Sequence, residues 1–126
     1  MQKKKTILIA DDDAIIRRLL TYQLTLAGYD VLAARDGSEA FNWLRDHRRR
    51  PDLLLLDLFM PRQSGLEVIE SLKSLPFKIP VILMSGADRP LARQGLARVQ
   101  VDAFLAKPFS VEDLLHSIEE MLQVIH

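Results

Sequence analysis

The sequence contains no cysteine, which excludes disulfides, thiolate zinc sites and a cysteine nucleophile, and leaves the redox compartment open. Neither sign of charge is in excess, since 17 Lys plus Arg balance 17 Asp plus Glu. Net charge therefore points to neither nucleic acid nor a membrane surface as a partner. A long apolar run is also missing. The basic start, Met1 to Lys5, leads into an apolar stretch that ends at Ala10 and runs straight into carboxylates. A secretory signal needs an apolar region of about 7 to 15 residues and a membrane span about 20, so a cytoplasmic location is the expectation. The 126 residues suit a single domain spanning 1–126, since domains commonly run to about 100 to 150 residues.

What is present is a regular alternation. Short apolar runs at Ile7–Ala10, Val31–Ala34, Leu53–Leu56, Val81–Met84 and Val101–Leu105 are each bounded by charge, Gly or Pro, and read as five strands. Between them lie segments with helical spacing: Ile16, Leu19, Leu20 and Leu24; then Ala40, Phe41 and Leu44; then Leu66, Ile69 and Leu72. A weaker helix is expected over Leu91–Val99, interrupted by Gly95, and a strongly amphipathic one through Leu114, Leu115, Ile118, Leu122 and Ile125. Asp13, Asp36, Asp88 and Ser110 stand where helix N-caps belong, and Gly28 where the first helix ends.

Strand-helix alternation implies parallel strands joined by right-handed crossovers, with helices on both faces. The fold class is therefore α/β, a five-stranded doubly wound parallel sheet. The unbroken leucines Leu53 to Leu56 suit a central strand buried on both sides. Such folds bind ligands beyond the carboxyl ends of their strands.

That rule gathers scattered residues into one place. Strand one ends at Asp11 and Asp12, strand three at Asp57, strand four at Ser85, and Lys107 and Pro108 follow strand five. Adjacent carboxylates are costly unless water, a helix terminus or a metal relieves their repulsion. Asp13 suits the helix cap, which leaves Asp11, Asp12 and Asp57 as candidate ligands of a hard divalent cation, Mg²⁺, with room for phosphate oxygens. Lys107 adds a positive charge and Ser85 a hydroxyl donor, a set suited to phosphoryl chemistry. An aspartate is ionised at neutral pH and needs no general base to attack phosphorus. Asp57, at the end of the central strand beside the switch in strand order, is the candidate nucleophile.

The segments Ile9-Ala10-Asp11-Asp12-Asp13, Asp57-Leu58-Phe59-Met60-Pro61 with Gly65 beyond, Ser85-Gly86-Ala87 and Phe104-Leu105-Ala106-Lys107-Pro108-Phe109 together resemble the response-regulator receiver domains of two-component signalling. The resemblance covers essentially the whole chain. It implies a flavodoxin-like strand order of 2-1-3-4-5, and a phosphoryl group accepted on Asp57 from a histidine kinase or phosphotransfer protein. It further implies Mg²⁺ held by Asp12 directly, by Asp11 mainly through water, by Asp57 and by the backbone carbonyl of Phe59. Ser85 and Lys107 would hold phosphate oxygens, and Phe104 would change rotamer on activation, although an aromatic at a strand position is equally a core residue. The output surface would be the fourth helix, fifth strand and fifth helix (α4-β5-α5), which offers a route to homodimers. The downstream partner would be an effector protein or a linked output domain, with no direct contact to nucleic acid. No such domain follows Ile125-His126, so the chain is expected to be either a stand-alone receiver or one cut from a longer protein.

Two departures stand out. Gln100-Val101 replaces the Gly-Ala common in the family before the fifth strand, which affects the shape of the preceding helix. Phe59 and Ala87 take positions that are often polar near the attacking water, which implies slow self-dephosphorylation. The competing readings are a degenerate receiver acting as a phosphorylation-independent scaffold, a flavodoxin-like cofactor module, and a Mg²⁺-dependent aspartyl phosphatase. The carboxylates after strand one would repel a cofactor phosphate, and the phosphatase would want an acid where Phe59 stands. Beyond its own phosphorylation and dephosphorylation no enzymatic activity is expected. Arg48 to Arg50 read as a solvated loop, Trp43 as packing, and His47, His116 and His126 have no ligand spacing among them.

Overall fold

The computed structural model describes residues 3–46, 48–58, 60, 65–86 and 102–123. Their elements run β1 (Thr6–Ala10), α1 (Ala14–Leu26), β2 (Asp30–Ala34), α2 (Gly37–Arg45), β3 (Leu53–Asp57), α3 (Gly65–Leu72), β4 (Val81–Gly86), β5 (Ala103–Lys107) and α4 (Val111–Gln123). The helix expected over Leu91–Val99, the cap at Asp88, the Gln100-Val101 departure, His47, Ile125 and His126 lie outside the described residues. The C-terminal helix, expected as the fifth, is therefore α4 here.

All five strands are parallel and ordered β2-β1-β3-β4-β5, as expected. Alternation along the strands feeds two separate cores. Leu8, Ala10, Leu54, Leu56 and Leu83 face α2 and α3, whereas Ile7, Ile9, Leu53, Leu55, Ile82 and Met84 face Leu20 and Leu24 of α1 and Leu114, Ile118 and Leu122 of α4. Leu53 to Leu56 are fully buried, because β3 has helices on both faces and a strand on each side.

The caps form as the sequence predicts. The Asp13 carboxylate accepts from the N–H groups of Ile15 at 2.9 Å and Ile16 at 3.3 Å, Asp36 from Glu39 at 2.8 Å, and the Ser110 hydroxyl from Asp113 at 3.0 Å. Gly28 closes α1 with φ +100°, a conformation a side chain would resist. Trp43 packs against the core while its indole N–H donates to the Ala33 carbonyl.

Two expectations are corrected. The fifth strand starts at Ala103, two residues later than expected, because the Asp102 carboxylate takes the Val81 N–H at 2.8 Å and sheet pairing begins at Ala103 with Ile82. Lys107 is thus the last residue of β5, and Ser85 lies within β4. Leu19 does not join the core: it is 54% exposed and lines up with Ile15, Tyr22 and Leu26 on the outer face of α1. The amino-terminal edge of the sheet carries exposed Lys3, Lys4, Arg48, Arg49 and Arg50, opposite the acidic edge described next. Arg50 is also stacked over the Phe77 ring at 4.1 Å.

Candidate metal and phosphoacceptor site

The strand order reverses between β1 and β3, and the crevice beyond their carboxyl ends is where such a sheet receives ligands. Asp11 and Asp12 leave β1 there, and Asp57 ends β3. One carboxylate oxygen from each of the three lies within 4.8 Å of the others. Across the crevice from β5 the Lys107 Nζ stands 2.9 Å from Asp11 Oδ2 and 3.7 Å from Asp57 Oδ1. Three carboxylates face one ammonium, a formal excess of two negative charges that a divalent cation would balance. All the carboxylate donors are hard oxygens, so the set fits Mg²⁺.

The three acids differ in freedom. Asp11 is fully buried, and each of its polar groups is engaged. Its N–H donates to Ala34 O, its Oδ1 accepts from Asp13 N–H at 2.9 Å, its Oδ2 takes Lys107, and its carbonyl accepts from Arg17 Nη1 at 2.8 Å. Asp12 is exposed, and among the described residues its carboxylate has no hydrogen-bond or ion-pair partner. Asp57 is nearly buried beside both.

Burial works to lower the Lys107 pKa, but the hydrogen bond to Asp11 and the charges of Asp57 and Asp11 outweigh it and raise the pKa above the ordinary lysine value. The lysine therefore keeps its proton throughout the neutral range. The Lys107–Pro108 peptide is cis, the isomer that a proline at this position allows.

Ser85 is buried at the same edge, on the neighbouring strand in register with Ala106, one step before the Gly86–Lys107 pair. Phe104 is not a core residue: β5 is an edge strand, Leu105 turns inward, and Phe104 is 45% exposed. Phe59 and Ala87 lie outside the described residues. Sequence reasoning missed Arg17, since a bond from a side chain to a backbone carbonyl leaves no mark in residue spacing. It also missed the closeness of Gly65 to Asp57. The outer stripe on α1 was missed as well: residues 15, 19, 22 and 26 repeat at helical spacing, but in sequence Leu19 reads with the core-facing set.

The sequence model of the response regulator receiver domain matches residues 7–119. The chain belongs to the response regulator receiver domain family. This receiver domain is 38% identical over 117 residues to a response regulator MprA of Mycobacterium leprae, covering 93% of the chain and 50% of that protein. The MprA of Mycobacterium avium is 37% identical over the same length, with the same coverage. The chain thus spans about half the length of the curated relatives it matches. Among solved structures, the chemotaxis protein CheY4 of Vibrio cholerae superposes with a TM-score of 0.83 at 28% identity, covering 94% of this chain and 99% of that one. A CheY-like receiver domain from Methanospirillum hungatei superposes at 0.86 with 29% identity, covering 96% and 95%. The receiver domain is thus a phosphoryl-accepting signalling module of the two-component type, with an acidic cluster able to hold a metal. Among its described residues no helix is long and apolar enough to cross a membrane.

Proposed function

We propose that the chain, as one cytoplasmic domain over residues 1–126, accepts a phosphoryl group on Asp57 from a histidine kinase or phosphotransfer protein in a Mg²⁺-dependent reaction. The observation that carries this reading is the cluster of Asp11, Asp12 and Asp57 spanned by Lys107. An Asp57 carboxylate oxygen attacks phosphorus, the bond from phosphorus to the donor breaks with its electron pair going to the donor, and an acyl phosphate results. Lys107 and the Ser85 hydroxyl hold the phosphoryl oxygens. Asp12 and Asp57 would hold Mg²⁺ directly with the Phe59 carbonyl; both Asp11 oxygens already take protein donors, which supports a water-mediated role for Asp11. The bound ion supplies neutralisation of charge on the phosphoryl oxygens. Phosphorylation then draws Ser85 towards Asp57 and lets exposed Phe104 turn inward, switching the surface made by the expected 91–99 helix, β5 and α4. That surface would meet an effector, a linked output domain or a second receiver.

The outer stripe of α1 supports a helical phosphodonor. Ile15, Leu19, Tyr22 and Leu26, exposed between 54% and 79%, repeat at intervals of four, three and four, the spacing of a two-helix seam. The stripe starts just beyond Asp12 and Asp13. Leu19→Glu is expected to slow transfer from a histidine kinase that labels the wild type by about 5- to 30-fold, as for a buried interface anchor, with labelling by a small phosphodonor unchanged. Transfer from the kinase left unchanged in Leu19→Glu would show that this stripe does not dock the kinase.

The overall test is intact-mass measurement after incubation with a small phosphodonor, with and without Mg²⁺. One phosphoryl adduct that needs Mg²⁺ is the expected result. No adduct, or one indifferent to Mg²⁺, would count against the proposal.

A further inference from the structure

A cation site built on Asp11 and Asp12 depends on the backbone between them. The Asp11 carbonyl and the Asp12 N–H belong to one rigid peptide plane, so whatever holds that carbonyl also sets where Asp12 begins. Arg17 holds it, through a 2.8 Å bond from Nη1. The guanidinium is itself anchored, because Arg17 sits in the first turn of α1 with its N–H on Asp13 O at 2.9 Å, and Asp13 caps that helix. The loop closes on itself: the Asp11 side chain ties Asp13, Asp13 starts the helix, and the helix returns Arg17 to Asp11. Asp12 has no other restraint on its exposed carboxylate among the described residues.

We propose that Arg17 is a positioning residue that fixes the peptide unit joining Asp11 to Asp12, and so sets the preference of the site for a small, strictly octahedral cation over a larger one. This rests on the reading of Asp11, Asp12 and Asp57 as a divalent-cation site. Mg²⁺ demands ligands near ideal octahedral places at about 2.0–2.1 Å, whereas Ca²⁺ accepts irregular sets at about 2.3–2.6 Å. Loosening the Asp11–Asp12 peptide therefore penalises Mg²⁺ more than Ca²⁺.

Charge alone predicts the opposite. Arg17 brings a positive group towards the acids, so removing it on electrostatic grounds would tighten the binding of any cation. Positioning and electrostatics thus carry opposite signs, which makes the question decidable.

The test is calorimetric titration of the unphosphorylated protein with MgCl₂ and with CaCl₂, for the wild type, Arg17→Met and Arg17→Lys. Met keeps much of the apolar stem, while Lys keeps the charge and one donor. In Arg17→Met the Mg²⁺ dissociation constant should rise about 10-fold, at the lower end of what outer-shell partners contribute, with Ca²⁺ binding changed much less. Arg17→Lys should show a Mg²⁺/Ca²⁺ affinity ratio between those two. Unchanged or tighter Mg²⁺ binding in Arg17→Met, or parallel losses for both ions, would overturn the proposal. If Arg17→Met does not fold, Arg17→Lys decides alone, and a ratio equal to that of the wild type overturns it. A wild type that binds neither ion removes the cation site and this inference together, whereas wild-type binding with an unaltered ratio in the variants removes only the inference.

Discussion

Asp57→Asn will carry no phosphoryl group under conditions that label the wild type. The amide matches the carboxylate in shape but lacks the anionic oxygen that attacks phosphorus, so the loss should be complete by intact mass. The fold should survive, because Lys107 keeps its closer partner Asp11 at 2.9 Å. With two carboxylates now facing the ammonium, the excess negative charge falls from two to one, and repulsion within the cluster eases. The melting temperature without metal should therefore hold or rise slightly, while the stabilisation gained on adding Mg²⁺ should shrink, since a ligand that binds the folded state more weakly stabilises it less, as the logarithm of its affinity. An adduct that persisted in this variant would move the acceptor to another residue.

Gly65→Ala will weaken the fold and slow phosphorylation together. A Cβ at Gly65 would stand 2.7 Å from the carbonyl oxygen of Asp57 and 2.8 Å from the Cα of Leu58. Both are backbone atoms, unable to swing aside as a flexible side chain would. Gly65 also donates its N–H to the Leu58 carbonyl at 2.9 Å, so α3 starts pressed against the chain that carries the phosphoacceptor. Its backbone must then shift at the methyl group's expense or lose that bond, and overpacking of this kind costs about 1–3 kcal/mol. Urea denaturation should show a lower midpoint with an unchanged slope. The initial rate of labelling by a small phosphodonor should fall as well, because the displaced atoms belong to Asp57 itself. A midpoint equal to that of the wild type would mean that α3 has more room here than the contacts indicate.

Much of the architecture was legible because few physical signals contradict one another. Leu53 to Leu56 permit little besides a strand covered on both faces, and the residues ending β1, β3 and β4 had to share an edge once the strands were parallel. Leu19 was misplaced because period alone does not say which of two apolar stripes on a helix faces the sheet; burial of Ile16, Leu20 and Leu24 settles that only in three dimensions. The start of β5 was misjudged because Asp102 serves the backbone of the neighbouring strand, a pairing invisible along the chain. Phe104 read as evenly switch or core, and the core reading fell once β5 proved to be the edge of the sheet. The candidate site residues were singled out by side-chain chemistry, whereas Arg17 and Gly65 act on main-chain atoms, which a sequence does not display.

Equal totals of charge do not mean that charge is evenly spread. Asp11, Asp12 and Asp57 gather at the carboxyl edge of the sheet around the Lys107 ammonium, three acids to one base. A cation that nears this crevice meets a local attraction that the neutral total does not reveal. Because such attraction acts across solvent, it fades within a Debye length of about 8 Å at physiological salt. A molecule without net charge can thus still have encounters that depend on ionic strength.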